Sequence, residues 1–300
     1  MSDKQRVKLC KAAGRAVYGL LRFIIIFGLG FIILKPIIGK LLLSFMNPAD
    51  LLDNTVKLLP KHPSIYYWRE ALSQMFLPRS IINSFLLAFS IALIQTFTST
   101  VVGYGLARFK FRGRGIAFAF VIVMLLVPYQ VISIAQYRSF VNIKLFSLEI
   151  VDTFIPLYIL AFTGLGVKEG LYIYLLRENF KALPQSLEEA AYIDGSGVFK
   201  TFWSIMLPNA KTIMITVFLF SFCWQWTDNT YSSLYLIDTR VLSNSVGQII
   251  RRNAALVDHV GTNISRCAAS LFVAAPLIGL FVLCQKFFVK SIAQAGLSNV

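Results

Sequence analysis

Few side chains in this sequence have the neighbours that covalent chemistry needs. No Gly-x-x-x-x-Gly-Lys-Ser/Thr run occurs, because Gly39-Lys40 is followed by Leu41 inside an apolar stretch. The chain therefore has no glycine-rich loop to cradle nucleotide phosphates. Its only histidines, His62 and His259, stand far apart in polar segments and read as solvated rather than as a metal site or proton relay. Cys10, Cys223, Cys267 and Cys284 show neither a disulfide framework nor metal-ligand spacing. No Ser/His/Asp or Cys/His set can be assembled, so the chain is not read as an enzyme. Two polar features remain. One is Lys168-Glu169, set among Gly164, Gly166 and Gly170 in an otherwise apolar run. The other is the segment 177–211, where acids and bases nearly balance.

These features stand out against an extreme background. Of 300 residues, 57% are hydrophobic and 14% charged, with a mean hydropathy of +0.68. An ordinary soluble domain carries roughly 25% charged residues. A water-soluble fold of this length could not hide so much Leu, Ile, Val and Phe, and disorder is excluded by the same composition. The class left is an integral membrane protein, all-α, since its apolar runs are continuous rather than alternating with period two.

A helix needs about 20 apolar residues to cross a bilayer. Six stretches qualify: roughly 20–45, 80–106, 115–134, 153–176, 209–227 and 267–288. Lys35 and Lys40 fall in the first and are expected to snorkel to water. The fourth carries Lys168 and Glu169, which mark a helix break, a polar-lined pathway or a helix end shifted to an interface. The N-terminal apolar run far exceeds a signal-peptide core and no small-residue cleavage site closes it, so it is read as a retained first helix.

The net charge of +15 sets the orientation. Lys4, Arg6, Lys8, Lys11, Arg15 and Arg22 precede or enter the first span against Asp3 alone. Arg108, Lys110, Arg112 and Arg114 crowd one short loop that has no acid, whereas 135–152 sets Arg138 and Lys144 against Glu149 and Asp152. The positive-inside rule puts the N-terminus and the loops 107–115 and 177–211 in the cytoplasm, and six spans return the C-terminus, with Lys286 and Lys290, to the same side. The alternation of aromatics and bases in Arg108-Phe109-Lys110-Phe111-Arg112 needs no nucleic acid to explain it.

The segment 177–211 has its own local logic. Pro184 closes what precedes it, and Ser186 with Glu189 forms a capping box. A short helix from Leu187 to Asp194 is expected to stop at Gly195 in a left-handed conformation. Val198, Phe199, Phe202, Ile205 and Met206 are spaced for one face of a second helix, and Pro208 suits the first turn of the fifth span. The product is a two-helix elbow at the inner membrane surface, presenting Glu188, Glu189 and small Ala190 and Ala191 to a groove on another protein. A plain amphipathic helix lying in the interface is the alternative.

At this point a resemblance becomes specific. Glu189-Ala190-Ala191, three residues, Gly195, nine residues, then Ile205-Met206-Leu207-Pro208 resembles the EAA loop of ABC importer permeases. Ile193-Asp194-Gly195 is similar to the carbohydrate-uptake branch. Phe45-Met46-Asn47-Pro48 with Val56, Pro60 and Tyr67, then Val127-Pro128, Asp152-Thr153, Ile155-Pro156, Trp224-Gln225-Trp226-Thr227 and Gln285 to Lys290 extend the likeness over most of the chain. The tail resembles the smaller, six-helix permease of the maltose type.

The resemblance implies a division into 1–79, holding the first helix and an external segment, and a five-helix core over 80–300 with the coupling loop at about 183–208. It implies that Glu188, Glu189, Ala190, Ala191, Asp194, Gly195, Ile205, Leu207 and Pro208 couple mechanically to an ATPase subunit. Its implied partners are a second permease, two ABC ATPases that carry the ATP and Mg, an extracytoplasmic sugar-binding protein and the lipid bilayer of the inner membrane. No cofactor and no metal is expected on this chain. Lys168, Glu169, Trp224 and Trp226 are candidate pathway residues, though the tryptophans also fit interfacial anchors. The polar segment 228–266, with Arg240, Arg251 and Arg252, is either a contact for the binding protein or a solvated loop. Rival readings are a permease for a polyamine, phosphate ester or peptide, and a self-sufficient secondary transporter, which would need ion-coupling residues at the membrane midplane.

Overall fold

The computed structural model describes residues 3–53, 55, 56, 59–141, 144, 145, 148–249 and 256–297. Arg251 and Arg252 lie outside them. Apart from one antiparallel pair, β1 (Lys144–Leu145) and β2 (Leu148–Glu149), the regular elements among the described residues are helical. The chain forms two compact units, residues 1–72 with 250–271, and 73–249 with 272–300.

The first unit is dominated by α1 (Asp3–Ser44). Its apolar part, Val17–Ser44, is long enough to cross a membrane and its most apolar window has no buried residue. Lys35 and Lys40 are exposed, as snorkelling requires. Asn47 then stops the helix, its Oδ1 accepting from Ala49 N at 3.0 Å to open a 3₁₀ turn, Pro48–Leu52. Met46, Tyr67 of α2 (Tyr66–Gln74) and Ile264 of α14 (Leu256–Leu297) make a small buried cluster beneath it.

The second unit is built on α3 (Leu77–Arg108). Among its buried residues Ser80, Ser84, Ala88, Ala92, Gln95, Thr96, Ser99, Thr100, Gly103 and Ala107 form a stripe of small and polar residues, flanked by Leu87, Ile91, Tyr104 and Leu106. Lipid tails are as apolar as leucine, so helices in a membrane associate through close packing and polar contacts, and small residues permit both. Against this stripe lie α6 (Ile155–Phe162), α7 (Glu169–Ala182), α11 (Lys211–Thr227) and α13 (Leu242–Gly247), and α7 also packs on α4 (Arg114–Leu126). At Gly103 an added Cβ would sit 3.0 Å from Arg177 N and 3.0 Å from Leu176 Cβ. At Gly170 it would meet Leu125 N, Met124 Cβ and Val121 O, each at 3.1 Å. The α3–α7–α4 layer is thus as tight as backbones allow.

The stretches expected from the sequence as the third, fourth and fifth spans are not straight rods. The third bends by 106° between α4 and α5 (Tyr129–Val141), because Pro128 holds Val127 extended and offers no N–H to continue the ladder. The fifth bends by 74° between Val198–Asn209 and α11, so Pro208 lies before the bend, in α10 (Leu207–Asn209), rather than opening the fifth span. The stretch 153–176 is not one helix. It is the eight-residue α6 and the fourteen-residue α7, separated by a turn in which Gly164 (φ 79°) and Lys168 (φ 60°) are left-handed. Among the described residues three helices are long and apolar enough to cross a membrane, or up to five if each bent pair is one span. Near the opposite end of α3 from Arg108, Asp152 Oδ1 accepts from Asp238 N and Thr239 N at 2.9 and 3.0 Å, fixing the turn that follows α12 (Thr230–Tyr235).

Replacing Gly170 by Val should lower the melting temperature in detergent, since overpacking of this kind costs about 1–3 kcal/mol. Gly105→Ala on α3 is the control. There an added Cβ meets nothing within 4 Å, and no loss of melting temperature is expected.

Candidate functional site

Two sites grow out of the second unit, one at the Arg108 end of α3 and one at the break before α7. The first is the elbow. Helix α8 covers Ser186–Ile193 and starts one residue earlier than expected. The capping box is not formed. Gln185 is the N-cap, with no side-chain cap bond, because Pro184 already begins the turn and Ser186 lies inside the helix. The stop is as expected. Gly195 is left-handed at φ 78°, and its N–H donates to Tyr192 O at 3.1 Å while Ser196 N donates to Ala191 O at 2.9 Å. Those paired bonds satisfy carbonyls that the helix end leaves open.

Beyond the stop, α9 (Val198–Thr201) runs into a π-turn, Phe202–Met206, and then α10. The extra residue in that turn changes the helical phase. The five apolar positions expected on one face divide: Phe202 and Met206, within the π-turn, are buried and Ile205 partly so, while Val198 and Phe199, before it, are exposed. Phe202 stacks into an aromatic cluster around Tyr104, 4.8 Å between centroids, with Phe180 at 5.4 Å. Exposure of Ile193 at 86%, Phe199 at 82% and Trp203 at 56% leaves an apolar outer face on the elbow.

The two adjacent glutamates do different things. Glu188 is buried, accepting a 2.9 Å hydrogen bond from Tyr104 Oη and pairing with Arg108 Nε at 3.2 Å. Arg108 also donates to Leu183 O at 2.7 Å. Glu189, Ala190, Asp194 and Gly195 are exposed, whereas Ala191 is buried. The expectation that Glu188 and Ala191 are presented outward is corrected: both face the body of the protein, and Glu188 ties the elbow to the last turn of α3. Leu207 is partly buried and Pro208 exposed. Sequence reasoning took Arg108 only as an orienting charge and missed Tyr104; their spacing of four on one helix face was the available signal.

At the break, Glu169 has no exposed surface. Its Oε2 accepts from Gly166 N at 3.0 Å and Gln95 Nε2 at 3.3 Å. Gln95 also donates to Val167 O at 3.2 Å and accepts from Ser221 Oγ of α11. A Cβ at Gly166 would lie 2.2 Å from Gln95 Nε2 and 2.7 Å from Glu169 Oε2, so a larger residue there would displace the Gln95–Glu169 contact. Lys168 points elsewhere, its Nζ 5.0 Å from the Trp224 ring centre and 5.8 Å from that of Tyr129. The structure thus brings Lys168 and Trp224 together. It does not bring Trp226, which is buried with its Nε1 donating to Val273 O at 3.0 Å. Gln95, Ser221 and Tyr129 were not singled out in the sequence, where polar groups in spans 80–106 and 209–227 were the signal for the first two. A lysine centred in a membrane helix costs about 2.5–3.5 kcal/mol. Two ring faces return part of that, about 0.5–2 kcal/mol each.

The comparisons with known proteins bear on this geometry. Residues 99–294 match the model of the family described as "Binding-protein-dependent transport system inner membrane component". The chain belongs to that family. It is an ABC importer permease of the inner membrane, a transport component rather than a catalyst, and its family implies ATPase and binding-protein partners. The permease is 29% identical over 204 residues to the probable starch degradation products transport system permease protein AmyC of Thermoanaerobacterium thermosulfurigenes, covering 68% of this chain and 70% of that one. It is 26% identical over 274 residues to the sn-glycerol-3-phosphate transport system permease protein UgpE of Brucella abortus (strain 2308), covering 89% and 93%. Its fold matches a chain in the crystal structure of a bacterial ABC transporter involved in the import of the acidic polysaccharide alginate, with TM-score 0.65, 18% identity and coverage of 92% and 98%.

The Glu188 contacts make a prediction about the permease. Arg108→Ala leaves a buried carboxylate without its cation, a change worth about 3–5 kcal/mol, and by loosening the elbow should speed limited tryptic cleavage after Lys200, which is already exposed. The double variant Arg108→Met with Glu188→Leu removes both charges and should recover most of the lost melting temperature.

Proposed function

We propose that this permease imports a saccharide or related polyol, as one of two permease subunits above two ABC ATPases and below an extracytoplasmic binding protein. ATP and Mg act on the ATPases. The carrying observation is the elbow: a helix stopped at Gly195, with Glu189, Ala190 and the apolar Ile193, Phe199 and Trp203 open. An exposed apolar group of this kind, rimmed by polar residues, marks a protein or membrane contact, and the adjoining exposed Glu189 and Asp194 favour a protein. The saccharide class is supported by AmyC among the relatives and by Ile193-Asp194-Gly195; UgpE supports extending it to a polyol phosphate.

The proposed topology has six crossings with both termini cytoplasmic. The contact of Arg108 with Glu188 and Leu183 supports it, because it joins the basic loop 107–115 and the elbow at one end of α3. α6 and α7 together have a helical rise of roughly 33 Å, enough for a hydrocarbon core of about 30 Å. The division into 1–79 and a core over 80–300 is retained as part of this reading. In it the elbow seats in a cleft of an ATPase subunit. Glu189 offers a solvated carboxylate to donors there, and Ala190 lets the backbones approach. Asp194 and Gly195 end the docking helix, and Ile205, Leu207 and Pro208 join it to the fifth span. Closure of the ATPases then moves the elbow, and with it α3 and α7, switching the transport route between its two openings.

The test is uptake by membranes holding the assembled importer. Gly195→Leu strains a left-handed position and Glu189→Lys reverses the exposed charge. Each should reduce uptake at least tenfold while the amount of this chain in the membrane stays unchanged. Normal uptake by both variants refutes the coupling role.

A further inference from the structure

The elbow and its anchor leave the break before α7 without a role, and it holds a charge that nothing in the fold explains. Gln95, which binds Glu169, lies thirteen residues from Arg108 along α3, a rise of roughly 20 Å. Arg108 sits at the level of the elbow. The break is therefore well inside a hydrocarbon core of about 30 Å. Ionisable residues at that depth pair with one another or mark a solute path.

Lys168 does not pair. No carboxylate lies within 4.0 Å of its ammonium among the described residues. Its sequence neighbour Glu169 is turned into the Gln95–Ser221 network and has no exposed surface. Lys168, itself part-exposed, lines a cavity of about 180 Å³ with Tyr129, Ile132, Leu165, Gly166 and the buried Glu169. Whole-ligand pockets measure about 300–1,000 Å³, so this one has the scale of a single unit of a solute. Its cation stands beside Trp224, 42% exposed, and beside Tyr129, which is itself stacked on Tyr231 at 5.6 Å.

We propose that this cavity is an anion subsite on the transport route. There Lys168, flanked by Trp224 and Tyr129, takes the carboxylate or phosphate of an acidic sugar or polyol. The inference rests on the saccharide-importer reading and narrows its substrate. A neutral sugar would be served as well by amides and hydroxyls, which do not carry a full charge into the membrane. Only an anion gives an unpaired ammonium there a Coulombic return. The rings add apolar faces for the C–H side of the same unit, and Glu169, which also lines the cavity, has its Oε2 held by Gly166 N and Gln95 Nε2 rather than by Lys168. The sequence departs from a plain apolar span at Lys168 because the chain breaks there. A left-handed residue at the start of α7 turns the side chain out of the helix stack and toward α11.

The experiment uses the importer purified through this chain with the subunits that accompany it, reconstituted in vesicles with its binding protein. Labelled probes are glycerol 3-phosphate, hexose phosphates and uronate oligosaccharides, set against neutral mono- to tetrasaccharides. The wild type should take up one of the anionic classes at least tenfold faster than its neutral counterpart. Lys168→Met should cut that uptake at least tenfold and Lys168→Arg less than threefold, with Trp224→Leu between them. Co-purification of the partner subunits is measured for every variant, so loss of assembly is distinguished from loss of transport. Preference of the wild type for neutral sugars, or undiminished anion uptake by an assembled Lys168→Met importer, overturns the subsite and leaves the saccharide reading standing. Uptake of peptides or polyamines in place of any sugar or polyol overturns the reading beneath it. Phosphate against carboxylate preference among the anionic probes tells the two solute sources apart.

Discussion

The close approach of α3 to α7 governs everything functional in this permease. In a bilayer there is no water to expel from between helices, so association depends on atoms meeting at short range and on polar groups finding partners. The small-residue stripe of α3 supplies both. Gly103 lets the backbone of α7 come within a methyl's width, and Gly170 repeats the condition between α7 and α4. With the helices that close, their relative height is not free. Gln95 arrives opposite Glu169, and Tyr104 and Arg108 arrive opposite the elbow.

Those two polar layers have different stakes. A buried polar group without a partner costs about twice what a satisfied one contributes, so each layer penalises sliding of α3 against α7. The layer in the membrane joins α3, α7 and α11 through Gln95, and the layer at the end joins α3 to the elbow. Between them α7 is an unbroken helix of fourteen residues. An element pinned at both ends and packed along its length moves as a body. The turn before it is different, since Gly164 and Lys168 are left-handed there and the backbone already departs from helix. In the proposed cycle a displacement at the elbow is therefore delivered to the position of Lys168, and bending is left to the segments around Pro128, 163–168 and Ala210.

Hydropathy made the membrane class, the long helices α1, α3 and α14 and the place of the elbow legible, and Gly195 announced the helix stop. Each of those is written in a contiguous run of residue types. What hydropathy could not show is where an apolar run stops being one helix. The runs 115–134 and 153–176 look continuous, yet Pro128 turns the first by 106° and two left-handed residues divide the second. The elbow's second half failed for a related reason. A single-face reading over Val198 to Met206 assumed one regular helix, but the short α9 gives way to a π-turn at Phe202, and Phe199 is exposed while Phe202 is buried. Ser186 looked like a cap because Glu189 follows at the right spacing, but Pro184 had already begun the helix. Glu188 was misread for a different cause: its partners Tyr104 and Arg108 lie eighty or more positions earlier, and no local pattern reports a contact of that range.

The pair Glu188-Glu189 shows how one short helix can be both fixed and available. Successive residues point about 100° apart at 3.6 residues per turn, so two adjacent carboxylates cannot share an environment when one of them is buried. Glu188 accepts the cost of leaving water because Tyr104 and Arg108 both meet it, and the result is an elbow held to its own chain. Glu189 remains hydrated and loses little when a partner donor replaces water. A docking helix needs this inequality. If both carboxylates faced outward, the partner would grip a segment free to swing, and its motion would be spent in the loop. If both faced inward, the elbow would move with α3 but offer no charged group to grip. One inward and one outward carboxylate make the elbow a handle attached to the helix that also carries Gln95, and through it the break where Lys168 stands.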